Sequence, residues 1–144
     1  MQIAFRTDAS LQMGSGHVMR CLTLADALTT QGAQCQFISR AHTGYFLDLI
    51  RQHGYKVNNL QAPVQQAQEA IKIDKTASLA SSQSPAHAAW LGCDWQTDAE
   101  QTGSILASLR PDWLVVDHYA LDQRWESALQ PTTSDVSNCF YAGE

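Results

Sequence analysis

The sequence predicts an α/β fold built on an open, doubly wound parallel sheet, and three observations carry that prediction. Short apolar or alternating runs at Ile3–Phe5, Gln34–Ser39, Tyr55–Leu60 and Trp113–Val116 are separated by segments of helical periodicity. Those segments are long enough to cross between parallel strands, and such crossovers are right-handed. With 44% hydrophobic and 16% charged residues, the 144-residue chain has a globular composition. It is long enough to bury one core and too short for two ordinary domains.

The elements follow in order. Ile3-Ala4-Phe5 is an apolar run that turns polar at Arg6-Thr7-Asp8 and leads through a glycine-containing loop to His17, a strand and its loop. Val18, Leu22, Ala25 and Leu28 recur at helical spacing, and Gly32 stands where a left-handed residue closes a helix, so residues 17 to 31 are expected to be helical. Gln34 to Ser39 alternates at period two, a second strand. Tyr45, Leu49 and Ile50 line a second helix ending near His53-Gly54, and Tyr55 to Leu60 follows as a third strand. Residues 62 to 88, rich in Gln, Ala and Ser, read as an irregular connection with one helical segment around Val64 to Ile71. Asp94 is a good N-cap for a helix carrying Ala99, Ile105, Leu106 and Leu109 toward Pro111. Trp113 to Val116 is a compact buried strand, and a last helix from Asp122 carries Trp125 and Leu129. From Gln130 to Glu144 neither period is visible, and this stretch is expected to be an unpatterned tail.

Nine Lys and Arg against fourteen Asp and Glu give a formal charge of -5, which offers no basic field for a nucleic-acid backbone or an anionic membrane. Neither is an expected partner. The start, Met1-Gln2-Ile3-Ala4-Phe5-Arg6, shows no leader pattern, and no stretch approaches about 18 apolar residues, so the chain is expected to be cytoplasmic. The cysteines at 21, 35, 93 and 139 are scattered without C-x-x-C or zinc spacing and read as small buried hydrophobes. No metal and no cofactor are expected.

The informative motif is Gly14-Ser15-Gly16-His17, between the first strand and the first helix. Two glycines let backbone approach a ligand closely, and a helix start offers unpaired N–H groups to an anion or developing oxyanion. His17 at that start lies where the dipole favours the uncharged imidazole a general base needs. The alternative is a plain tight turn with His17 bonded to a loop carbonyl. A dinucleotide fingerprint is disfavoured, because Met19 stands where its third glycine belongs and Ser39-Arg40 where a ribose-binding acid belongs. A second cluster, Asp117-His118-Tyr119, lies just past the carboxyl end of a strand, where open α/β sheets present ligand contacts. Its alternative is a turn cap with two rings packed at the sheet edge, and Asp8 poses the same choice. A third stretch, His87 to Trp95, reads either as a cover for a sugar ring or as a core-forming loop.

Phe5-Arg6-Thr7-Asp8-Ala9-Ser10, Gly14-x-Gly16-His17-x-x-Arg20-Cys21, Trp90-Leu91-Gly92-x-Asp94 and Val115-Val116-Asp117-His118-Tyr119-x-Leu121-Asp122 occur in that order. Together they resemble the hydrolase of the pseudaminic acid pathway, which removes UDP from UDP-2,4-diacetamido-2,4,6-trideoxy-β-L-altropyranose. The resemblance runs from residue 1 to about 129. It implies a Rossmann-like domain that forms the N-terminal half of a GT-B, glycosyltransferase-like architecture, a UDP-sugar as partner, and no metal. It further implies His17 as the base that activates water, with Arg6, Asp8, Gly14, Ser15, Gly16, Asp117, His118 and Tyr119 as substrate contacts. Members of that family continue into a second, UDP-binding domain, so the chain is expected to be a truncated or frame-shifted product with little activity alone. The competing expectations are the acceptor domain of a GT-B glycosyltransferase and a non-catalytic sugar-binding module. The oligomeric state is left open.

Overall fold

A computed structural model of the chain describes residues 1–10, 14–42, 46–61, 91–129 and 138–141. Its elements are β1 (Gln2–Thr7), α1 (Gly16–Thr30), β2 (Gln34–Arg40), α2 (Phe46–Gln52), β3 (Lys56–Leu60), α3 (Trp95–Leu109), β4 (Trp113–Asp117), α4 (Gln123–Leu129) and β5 (Asn138–Tyr141). The strands form one sheet in the order β3-β2-β1-β4-β5, with every pairing parallel. This is the expected doubly wound α/β sheet, and its order is that of dinucleotide-binding folds. The expected connection over 62 to 88, Tyr45, and the residues from His87 to Trp90 lie outside the described residues.

The two layers follow from side-chain alternation along the strands. Ile3, Phe5 and Val115 point to one face and are covered by Val18, Cys21, Leu22 and Ala25, the buried stripe of α1, together with Ile50 of α2. Ala4, Leu114 and Val116 point to the other face, where Ala99 and Leu106 of α3 meet Trp125 and Leu129 of α4. Phe5 stacks on Phe37 with ring centroids 5.0 Å apart. Each fully buried side chain of this size stabilises the fold by about 1.5–3 kcal/mol.

The helix ends obey local rules. Gly32, at φ 92°, closes α1, with the Ala33 N–H donating to the Leu28 carbonyl across the turn. Asp94 caps α3 by accepting from the Thr97 N–H at 3.1 Å, as the sequence predicts. Arg110 ends that helix in the left-handed region at φ 47°, ahead of Pro111.

One expectation is corrected. The stretch from Gln130 onward was expected to lack pattern, yet Asn138–Tyr141 pairs in parallel with β4 and extends the sheet to five strands. Four residues span only two periods of alternation, too few for a strand to show in sequence. Residues 130–137 and 142–144 lie outside the described residues.

Candidate functional site

β1 and β4 are neighbours, with Thr7 opposite Asp117 at their carboxyl ends. From there the chain leaves β1 toward α1 on one face and β4 toward α4 on the other. The divergence opens a crevice at the topological switch point, where ligands of open α/β sheets bind. Both sequence motifs end at this crevice.

His17, in the first turn of α1, is 8% exposed, and its Nδ1 lies 2.6 Å from Oδ1 of Asp117 at the end of β4. Asp117 is buried and also receives two hydrogen bonds from Arg20, Nε to Oδ2 and Nη2 to Oδ1, each 2.7 Å. Its two oxygens therefore act as acceptors, so His17 meets Asp117 as an Nδ1–H donor. In the neutral ring the lone pair is then on Nε2, the form required of a general base. Tyr119, 43% exposed, sets its ring edge-on to His17 at 4.6 Å between centroids. The Cys21 thiol donates to Oδ2 at 3.9 Å. Burial, with the Asp117 charge beside it, pushes that thiol up to about 12, so it stays protonated and is a poor nucleophile.

Gly14 has φ +73°, a conformation that costs a residue with a Cβ about 1–2 kcal/mol. It lets the loop turn so that the Gly14 N–H donates to the Ser10 carbonyl at 2.8 Å. Among the described residues, the Ser15 side chain ahead of α1 makes no capping bond, and a Cβ on Gly16 would meet nothing within 4 Å. Gly14, Ser15, Gly16, His17, Asp117 and Tyr119 are brought together at one place.

Arg6, Asp8 and His118 are placed differently. Arg6 and Asp8 are 0% exposed. Asp8 accepts from Arg6 Nη1 at 2.6 Å and Nη2 at 3.1 Å, Ser39 Oγ at 3.2 Å, the Arg40 N–H at 2.8 Å, His42 Nε2 at 3.1 Å and His118 Nε2 at 2.9 Å. One carboxylate thereby ties together the segments that follow β1, β2 and β4. His118 Nδ1 accepts from the Ala120 N–H at 3.0 Å, so its ring is neutral with the proton on Nε2 and both nitrogens engaged. Arg6 continues inward to Asp98 of α3, Nη2 to Oδ2 at 2.6 Å, and Asp98 also accepts from Arg40, Thr102 and the Trp125 indole N–H. The sequence reading took Arg6, Asp8 and His118 as substrate contacts; here the bonds they make are to one another and to neighbouring protein groups. This buried network braces the carboxyl ends of β1, β2 and β4 beside His17 and Asp117.

This cluster makes stability depend on pH. Burial alone would raise the Asp8 carboxyl, but the Arg6 charge and the hydrogen bonds from His118 and His42 hold it well below the usual carboxylate range. Asp98 is lowered likewise against its own burial, by Arg6 and Arg40. Burial lowers His118 below its ordinary 6.5, outweighing the nearby Asp8. A carboxylate lowered in the fold contributes stability above its unfolded pKa of about 4 that is lost as pH falls through the folded one. A histidine kept neutral costs stability once the unfolded ring takes up a proton, below about 6.5. The urea midpoint is therefore expected to decline in two stages, from about pH 6.5 and again below about pH 4. His118→Gln should remove the first stage, and a midpoint constant from pH 7 to 4 would refute the account.

The comparisons with known proteins bear on this fold. No protein-family model matches the chain, and no curated protein matches its sequence. Solved structures do resemble it, two glycosyltransferases among them. One is a glycosyltransferase from Rickettsia africae ESF-5, with TM-score 0.55 and 14% identity, covering 97% of this chain and 28% of that one. The other is CalG4, the calicheamicin glycosyltransferase, with TM-score 0.56 and 18% identity, covering 99% of this chain and 32% of that one. The chain has the Rossmann-like fold of one half of a GT-B, glycosyltransferase-like architecture. It spans about a third of the length of the structures it resembles. The expectation of a hydrolase is corrected by this finding, because the neighbours in structure are transferases. Among the described residues no helix is long and apolar enough to cross a membrane, and no group of three or more His, Cys, Asp or Glu is placed to hold a metal ion.

Sequence reasoning gave no role to Arg20, Arg40, His42 or Asp98. Two signals were present. Arg20 and Cys21 follow His17 at i+3 and i+4, the same helix face. Asp98 and Thr102 stand at i and i+4 in the stripe that also carries Leu106, so a carboxylate occupies a core position and requires a buried cation. Trp95, from the stretch read either as a cover for a sugar ring or as a core-forming loop, packs on the α3 side of the core with the Arg124 guanidinium 5.5 Å from its ring centroid.

Proposed function

We propose that this chain is the acceptor-side half of a GT-B glycosyltransferase that uses a nucleoside diphosphate sugar, with His17 as the base. The observation that carries the reading is the 2.6 Å His17–Asp117 pair at the switch point of the sheet. His17 Nε2 takes the proton of an acceptor hydroxyl as that oxygen attacks the anomeric carbon. The bond from that carbon to the diphosphate oxygen breaks, and the diphosphate leaves with the electron pair. Asp117 stabilises the imidazolium that results. Tyr119 forms an exposed aromatic wall beside the base for the acceptor. The four motifs of the sequence make the UDP-activated 2,4-diacetamido-2,4,6-trideoxy sugar the first donor to test. The free thiols of Cys21, Cys35 and Cys93 suit a reducing cytoplasm.

The test compares this chain alone with the same chain joined to the nucleotide-binding half of a glycosyltransferase of this fold. UDP release is followed with and without hydroxyl acceptors. Acceptor-dependent release is expected only in the joined protein, and His17→Ala should lower it by about 10²- to 10⁴-fold. Release that needs no acceptor would overturn the transferase reading. Acceptor-dependent transfer that survives His17→Ala would overturn the choice of base.

A further inference from the structure

We propose that Arg20 is a positioning residue that fixes the tautomer of His17 by locking the carboxylate of Asp117 in one plane. The proposal rests on His17 as the base, and its test needs no turnover.

His17, Arg20 and Cys21 occupy positions i, i+3 and i+4 of α1 and all turn to the same carboxylate. A carboxylate held only by an imidazole keeps a broad, soft rotation about its last side-chain bond. Arg20 removes that freedom, because its Nε and Nη2 engage both oxygens at 2.7 Å in a planar fork. The fork also takes up acceptor capacity on Oδ1, the atom that His17 shares at 2.6 Å. What remains on Oδ1 is a lone pair aimed at Nδ1, so the ring is held with its proton there and its lone pair on Nε2. The Arg20 side chain is 54% exposed, whereas Asp117 is 1% exposed. Without Arg20 the buried carboxylate keeps the His17 and Cys21 bonds on α1. The Arg20 fork adds the fixed plane of the carboxylate to those bonds.

His118 supplies an internal reference, since it carries its proton on Nε2, donating to Asp8, while Nδ1 accepts from Ala120. The two histidines should show opposite tautomers in one spectrum. The experiment is a long-range ¹H–¹⁵N correlation on the ¹⁵N-histidine-labelled 144-residue chain, at a pH where the rings are neutral, with His17→Gln assigning the signals. In the wild type His17 is expected as the Nδ1–H tautomer. In Arg20→Met it should redistribute toward Nε2–H by about tenfold in the tautomer ratio, with the His118 pattern unchanged. Arg20→Lys keeps a cation but loses the fork, and should redistribute His17 part of the way. If Arg20→Met also loses the His118 pattern, Arg20→Lys decides by the same criterion. A wild-type tautomer ratio at His17 in the variant that keeps the His118 pattern would overturn the proposal. A wild-type His17 protonated on Nε2 would overturn it together with the assignment of the base. Loss of the transferase reading in the UDP assay, with these spectra as expected, would leave the role of Arg20 standing.

Discussion

Replacing Asp117 by Asn is expected to remove nearly all transfer from an enzyme carrying this half while leaving it folded. The carboxylate now accepts from His17 and twice from Arg20. An amide cannot do this in either orientation. With its oxygen toward His17, its NH₂ group confronts the Arg20 Nε–H. Turned over, the NH₂ group donates to His17 Nδ1 and forces the ring proton onto Nε2, where the lone pair is needed. Either way the negative charge that steadies the imidazolium is gone. The expected loss in kcat is about 10³- to 10⁴-fold, the scale on which an orienting carboxylate acts in a catalytic triad. KM should move far less, since Asp117 is buried behind His17. Steady-state UDP release measures both, and a variant within about tenfold of wild type would remove Asp117 from the mechanism.

Asp98→Ala should have the largest effect on stability. Asp98 is buried and accepts from Arg6, Arg40, Thr102 and Trp125. Without it Arg6 keeps only Asp8, Arg40 loses its carboxylate partner, and the Trp125 indole N–H is left without its acceptor. Breaking a buried ion pair from one side costs about 3–5 kcal/mol. Domains of this size are stable by only about 5–15 kcal/mol in all. Asp94→Ala, four residues away in the same helix, removes only a cap and should cost about 0.5–2 kcal/mol. Urea denaturation separates the two. Equal midpoints for the two variants would show that the buried cluster is not what holds α3 to the sheet.

Much of the fold was legible because each element states its own period. The alternation of β2, the stripe of α1 and the cap at Asp94 are all local signals, and each appears where expected. β5 is too short to carry such a signal and is specified by its pairing with β4. The site was legible in part. His17 and Asp117 stand at positions that the topology brings together, after β1 and after β4. The sequence could not say which polar residues face the crevice and which face inward. Arg6 and Asp8 at the end of β1 look the same in either role, and the choice is made by Asp98, 92 residues further on. A first-turn carboxylate in a helix reads as a complement to the dipole, which hides its second use.

The sheet order has a consequence for synthesis. β1 is made first and lies at the centre, between β2, which soon follows, and β4, which pairs with it through Thr7 and Asp117 only after more than a hundred residues have been added. At about 5–20 residues per second the ribosome needs about 5–20 s to deliver that partner. During that interval β1 presents a bare hydrogen-bonding edge, and the Arg6 guanidinium has Asp8 but not yet Asp98. The Arg6–Asp98 brace therefore closes only once α3 has been made, so the centre of the sheet is completed late in synthesis.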